Sequence, residues 1–136
     1  EKGSTATSFD YRPYGTELGL CQRYLPALAN NATAAGTNAQ FIGQAAGSTT
    51  AFFFVNFPVN TRIAPTGVTV VGTSSFSALN ATGGAYNAFS SITFNSAGVN
   101  SALLLGSGTS GLIAGDATAI GTSSATAQIL FTGCEL

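Results

Sequence analysis

Histidine, methionine and tryptophan are absent from this 136-residue sequence, and charged residues make up only 7% of it. Between Tyr24 and Cys134 the only formal charges are Arg62 and Asp116. General acid–base catalysis, metal capture and phosphate binding mostly need histidine or charged side chains, so this composition argues against an enzyme and against a metal or cofactor. Four Lys and Arg residues cannot form a basic track, so no nucleic-acid partner is expected.

Other chemical motifs are scarce as well. Asp116 lacks a second carboxylate outside the terminal segments, and glycoside hydrolysis normally uses two. A serine nucleophile would lack a histidine base, and neither a Gly-x-Ser-x-Gly elbow nor a phosphate-binding loop occurs. The longest apolar run, residues 51–55, is far shorter than the roughly 20 residues that span a bilayer, so no membrane insertion is expected.

The residues that are plentiful favour a folded β domain. Ten Phe, four Tyr and many Val, Ile and Thr suit strands, and the length suits one domain. We expect residues 1–16 to be an extended lead-in, with at most one helical turn over 16–21, and residues 17–136 to form the domain. Gly- and Asn-containing clusters, including 106–111 and 121–124, predict turns. Strands are predicted at 40–45, 49–57, 67–72, 75–79, 91–94, 99–105, 112–114 and 125–132.

This succession of short strands predicts an all-β fold, an antiparallel β-sandwich that is jelly-roll-like, with a β-solenoid as the alternative. The run Phe52, Phe53 and Phe54 does not alternate with polar residues, so both faces of that strand need cover. A second layer covers one face and a neighbouring subunit the other. We therefore predict a subunit interface at these three residues, and the scarcity of surface charge also favours stable assembly.

Two pairs of residues have alternative interpretations. Cys21 and Cys134 either form a disulfide that joins the terminal strands or remain two buried free thiols. A disulfide closing a loop of ~110 residues contributes roughly 4 to 5 kcal/mol in the chain-entropy model. Arg62 either pairs with Asp116 or extends into solvent.

The segment that contains Asn80, Tyr86, Asn87 and Phe89 combines aromatic rings with hydrogen-bonding amides. Such a combination suits a sugar-binding loop. The alternative is that Tyr86 and Phe89 cover the sheet or fill a subunit interface.

Residues 1–25, EKGSTATSFDYRPYGTELGLCQRYL, resemble a segment of tailed-phage and prophage structural proteins that reads approximately E-K-G-S-x-A-T-x-F-x-x-R-x-x-G-x-E-L-A-L-C-Q-R-Y. Residues 57–69 resemble the F-P-V-x-M-R-x-x-P-T-V-T strand pair of the same family, and the terminal Glu135-Leu136 resembles its common A-E-L ending. Gly19 stands where Ala is usual, Thr61 where Met is usual, and Cys134 where a small residue is common. The matched positions cover about a quarter of the chain.

The resemblance implies a C-terminal β domain of a virion protein without catalytic residues. We expect the distal knob of a tail or head fibre on the exterior of a phage particle, a homotrimer that contacts other virion proteins and adheres to host-surface glycans. A capsid decoration or cement protein and a free carbohydrate-binding module are the alternatives. Because the chain begins with Glu1 and not Met, a processed product or a part of a longer protein is expected.

Overall fold

The computed structural model describes residues 13–29, 38–80 and 86–135. One helix precedes the strands, and a 3-10 turn, Thr73–Ser75, lies between two of them. The elements are α1 (Tyr14–Tyr24), β1 (Ala27–Ala29), β2 (Asn38–Ala45), β3 (Thr50–Asn56), β4 (Gly67–Val71), β5 (Phe76–Asn80), β6 (Tyr86–Ala88), β7 (Ser91–Ala97), β8 (Ser101–Ser107), β9 (Ala117–Thr122) and β10 (Gln128–Thr132).

These strands form two antiparallel sheets. The smaller sheet has the order β1-β10-β4, and the larger has the order β6-β5-β9-β2-β3-β8-β7. Together they form a curled half-barrel. The predicted all-β antiparallel architecture is therefore confirmed at this level.

The core lies between the two sheets. Along β8 every second residue is buried, and β3 buries Ala51, Phe53 and Val55 while the residues between them point the other way. The small sheet contributes Ile129 and Phe131, both fully buried. This period of two is what a sheet with one covered face requires.

Aromatic rings join the layers of this core. The Phe57 ring meets the Phe131 ring edge to face, with centroids 4.9 Å apart. Phe53 stacks on both Phe41 and Phe89 at 6.1 Å. Each fully buried ring of this kind is worth roughly 1.5 to 3 kcal/mol in transfer free energy, so the phenylalanines supply much of the driving force for folding.

Gly106 in β8 shows how closely this core is packed. A Cβ atom at that position would lie 2.5 to 2.8 Å from three atoms of the Phe89 ring. The ring is itself buried, so it has little room to move aside. A glycine is therefore needed at this point of β8 for the Phe89 ring to pack against the strand.

The helix differs from the expected lead-in and single turn. It runs for 11 residues because the carbonyl of Pro13 accepts hydrogen bonds from the amides of Thr16 and Glu17, which starts the helix before Thr16. None of its residues is buried. Residues 1–12 of the predicted lead-in lie outside the described residues.

Most predicted strands match observed ones within a few residues, but four regions differ. β1 lies in a segment that the sequence leaves open as a loop or a weak strand. Residues 112–114, predicted as a strand, lie in the connection between β8 and β9. β9 was not predicted, although it lies in the middle of the large sheet between β5 and β2. β6 forms within the segment predicted to be a sugar-binding loop.

Candidate functional site: the outer face of the large sheet

The large sheet has a second face that points away from the core, called the outer face here. In β3 it carries Phe52, Phe54 and Asn56, which alternate with the buried residues. Phe54 is 59% exposed, and its cross-strand partner Ile42 on β2 is 77% exposed. Exposure of this degree is unusual for two neighbouring large apolar side chains, and it makes the outer face the most informative surface of the molecule.

An apolar row crosses this face from one strand to the next. The pairing register aligns one residue from each of six consecutive strands: Tyr86 with Leu79, Leu79 with Ala119, Ala119 with Ile42, Ile42 with Phe54, and Phe54 with Leu103. Directly opposed residues of this kind have Cβ atoms about 5 Å apart. The row (Tyr86, Leu79, Ala119, Ile42, Phe54 and Leu103) is therefore one continuous apolar surface.

The next row along the strands extends this surface. Phe52 lies opposite Gln44 on one side and Leu105 on the other, and Leu105 lies opposite Thr93. None of the seven strands contains a charged residue. The strands of the outer face therefore present no charged side chain, and the polar residues among them, such as Gln44, Asn56 and Thr93, border the apolar row.

A shallow depression lies within the apolar row. It is lined by Ile42, Leu79, Ala117, Thr118 and Ala119. The alanines on β9 are shorter than the side chains that flank them on β2 and β5, so the surface is lower between these two strands. Its lining is almost wholly apolar, which suits an apolar group and not a sugar.

The predicted interface residues are thus divided between the two faces of β3. Phe53 is completely buried in the core, whereas Phe52 is half-buried and Phe54 exposed on the outer face. A single copy of the chain leaves this face uncovered in the described residues. Phe53 is therefore a core residue, while Phe52 and Phe54 are available for contact with another molecule.

The predicted sugar-binding residues do not form one site. Phe89 is buried in the core and cannot act as a platform for a ligand. Asn80 is also buried, and its Nδ2 donates to the Gly111 carbonyl at 3.3 Å. Asn87 Nδ2 donates to the Ser110 carbonyl at 2.9 Å.

Tyr86, the fourth predicted sugar-binding residue, lies at one end of the apolar row. Asn80 and Asn87 instead hold the loop between β8 and β9 against the sheet, and Thr109 adds a 2.8 Å hydrogen bond to the Asn87 carbonyl. The alternative interpretation, in which Phe89 covers the sheet, agrees with its buried position. Phe89 therefore serves packing and the two asparagines serve loop anchoring, whereas Tyr86 stays exposed at the surface.

The predicted disulfide is not formed. Both cysteines are free: Cys21 is exposed on α1, and Cys134 is buried after β10. Burial raises the pKa of the Cys134 thiol, and the neighbouring Glu135 carboxylate raises it further. The predicted disulfide required Cys21 to lie in a terminal strand that pairs with the last strand. Cys21 lies instead on α1, outside both sheets.

The predicted pair between Arg62 and Asp116 is not formed either. Thr61, next to Arg62, donates its amide to the Val99 carbonyl at 2.7 Å, near the end of β3. The Asp116 carbonyl instead accepts from the Ala45 amide, near the start of β3. The two residues are separated by about the length of a seven-residue strand, roughly 20 Å, and the exposed Arg62 agrees with the solvent alternative.

Chemistry-bearing groups are sparse in the described part of the chain. Among residues 13–29, 38–80 and 86–135, no three His, Cys, Asp or Glu residues lie close enough to hold a metal ion. Those same ranges include no helix with the length and apolar character that crossing a membrane demands.

Comparison with known proteins found no matching family model, no curated relative and no similar solved structure.

Four members of the apolar row, Ile42, Leu79, Leu103 and Ala119, are not indicated by the sequence as site residues. Ala119 lies on β9 between β5 and β2, which are both distant from it in the chain, so only the register brings these residues together. The absence of charge over this part of the sequence was the available signal, but it does not say which residues share a face.

Proposed function

We propose that this protein is a non-catalytic structural module of a phage virion, the distal knob of a tail or head fibre, which assembles as a homotrimer and adheres to the host surface. The observation that carries the proposal is the uncharged outer face with its apolar row. A face of this kind favours assembly over residence in water as a single chain. The similarity of residues 1–25 and 57–69 to phage structural proteins supports the virion location.

The three-fold state is proposed from the resemblance to phage fibre proteins, because many fibre knobs are trimers. The large sheet leaves its outer face uncovered in the described residues, so a neighbouring subunit can pack against it. We propose a jelly-roll-like sandwich in which the core of each subunit faces away from the three-fold axis.

Adhesion is assigned to the loops, because the strands provide packing surfaces. The loop between β8 and β9 displays Ser110 at the surface and is held in place by Asn87 and Thr109. A loop fixed by side-chain hydrogen bonds loses little entropy when it contacts a glycan. Host-surface binding therefore requires no charged or catalytic group.

The assembly is tested by measuring the mass of the full chain by light scattering. We expect about three times the 13.6 kDa of one copy. Ile42→Asp places a charge in the middle of the row and should give the mass of a single copy. Val71→Asp is the matched control, because Val71 is a 46% exposed aliphatic residue on the small sheet, and it should leave the mass unchanged. A wild-type chain that stays at 13.6 kDa at high concentration would refute the trimer.

The virion role is tested with antibodies against the chain, applied to purified phage particles whose genome encodes it. Labelling at fibre tips is the expected result. Labelling spread regularly over the capsid would favour the decoration protein instead. Particles without label would contradict both.

A further inference from the structure

The outer face carries an apolar protrusion and a depression with an almost wholly apolar lining. Phe54 projects from β3, and the depression over Ala117 and Ala119 on β9 lies two strands away. At a strand spacing of ~4.8 Å, this separation is about 10 Å. Ile42 stands between them and forms one wall of the depression.

We propose that Phe54 of one copy of this chain inserts into the depression between Ile42 and Leu79 of a second copy. This inference rests on the proposed assembly and specifies the contact that holds it together. Phe54 cannot fill the depression of its own chain, because its strand is fixed two positions away in the sheet. The occupant must therefore come from another molecule, and the same face supplies both parts of the contact.

The chemistry of the face favours a second copy as the occupant. Its strands contain no charge, so two copies approach each other without like-charge repulsion. A phenyl ring seated in this depression loses contact with water on the side that faces Ile42, Leu79 and the two alanines, and makes apolar contacts with them. A glycan would instead leave its hydroxyl groups without partners there.

The size of the face also agrees with this occupant. Seven strands of about six residues cover about 29 by 20 Å, or close to 600 Å² in projection. A specific protein interface buries about 800 Å² of accessible surface on each partner. Covering nearly the whole outer face of each subunit would therefore bury an area at the lower end of the range for a specific assembly.

A double-mutant cycle tests the contact directly. Phe54→Ala removes the protrusion, and Ala119→Phe fills the depression of the partner. Each single variant should raise the dissociation constant of the assembly about tenfold or more, because a buried aromatic anchor is a typical hot spot. In the double variant the ring at 119 faces the space left at 54, so affinity should recover to within about threefold of wild type.

Matched controls separate the contact from general damage. Ala125→Phe adds a ring at an exposed turn, and Ile113→Ala truncates an apolar side chain that is 55% exposed outside the strands. Both should leave the dissociation constant unchanged, and circular dichroism should show the same β content for every variant. Such results would show that Phe54→Ala and Ala119→Phe change the assembly and leave the fold intact.

The outcomes distinguish this contact from the proposed function. If the chain assembles but the two substitutions weaken association independently and additively, Phe54 does not meet Ala119 and the inference is wrong, while the virion role stands. If neither single variant weakens association, another surface holds the assembly. A chain that remains monomeric overturns the contact together with the assembly on which it rests.

Discussion

At the scale of single residues, environment decides what the two cysteines do. Cys21 lies on the exposed helix α1, whereas Cys134 is buried at the end of β10. Their sequence positions favoured a terminal disulfide as strongly as two free thiols. The choice between these depended on where α1 lies, and a sequence containing Gly15, Gly19 and Pro26 did not predict a helix of 11 residues there.

Burial of Cys134 predicts a pH dependence of stability. The folded state raises the pKa of this thiol, so the unfolded chain ionises at a lower pH than the folded chain. The resulting stabilisation is present below the unfolded pKa of about 8.5 and is lost as the pH rises through the folded pKa. Urea unfolding at pH 7 and pH 10 should show a decrease in the free energy of unfolding.

The thiol variants provide the control for this effect. Cys134→Ala should reduce the decrease between the two pH values, although the variant is less stable at both. Cys21→Ala should keep the full decrease, because that thiol is exposed. Equal pH slopes in wild type and Cys134→Ala would show that the buried thiol makes no contribution.

At the scale of elements, β3 and β9 differ in how strongly their residues predict a strand. β3 contains three Phe residues and one Val and is predicted, whereas β9 reads ATAIGT. The two Ala residues and the Gly of β9 have weak strand preference and dilute the signal of its Thr and Ile residues. β9 becomes a strand because β5 and β2 supply hydrogen-bonding partners on both sides, a condition that no local pattern records.

The alternation along β3 predicts losses of stability that differ in size for two adjacent phenylalanines. Phe53→Ala removes a fully buried ring that stacks on Phe41 and Phe89, so it should reduce the free energy of unfolding by about 3 to 5 kcal/mol. Phe54→Ala should reduce it by less than about 1 kcal/mol, because that side chain is 59% exposed.

Both variants are measured by urea denaturation at a dilution where light scattering gives the mass of one chain. This condition removes the contribution of assembly, which Phe54→Ala is expected to change. Similar losses for both variants would mean that β3 does not present alternate faces to core and solvent.

At the scale of the whole molecule, the separation of charge from the sheets is the dominant property. The described charges lie on α1, in the connections or at the end of the chain, and none lies in a strand. Assembly through the outer face therefore has no electrostatic contribution from the face itself. The low charge is evident from composition, but the sheet order decides that the uncharged strands form one uninterrupted surface.

This separation predicts an assembly that is insensitive to salt. Raising sodium chloride from about 0.05 to 0.5 M shortens the screening length from more than 10 Å to less than 5 Å. The dissociation constant should change by less than about twofold, whereas ammonium sulfate should strengthen association because it favours burial of apolar surface. The measurement is analytical ultracentrifugation over a series of salt concentrations. A steep decrease in affinity with sodium chloride would indicate that Arg62, Asp116 or the helix charges form the interface.

The sequence by itself determined the class of this protein: a β fold that is rich in phenylalanine, poor in charge and without histidine. These conclusions follow from residue types, because strand preference, burial and acid–base chemistry are properties of individual side chains. Tertiary structure alone decided that Phe53 and Phe54 have different environments, that Arg62 and Asp116 lie apart, and that six strands align one apolar row. Those outcomes depend on register and strand order, which join residues that are far apart in the chain.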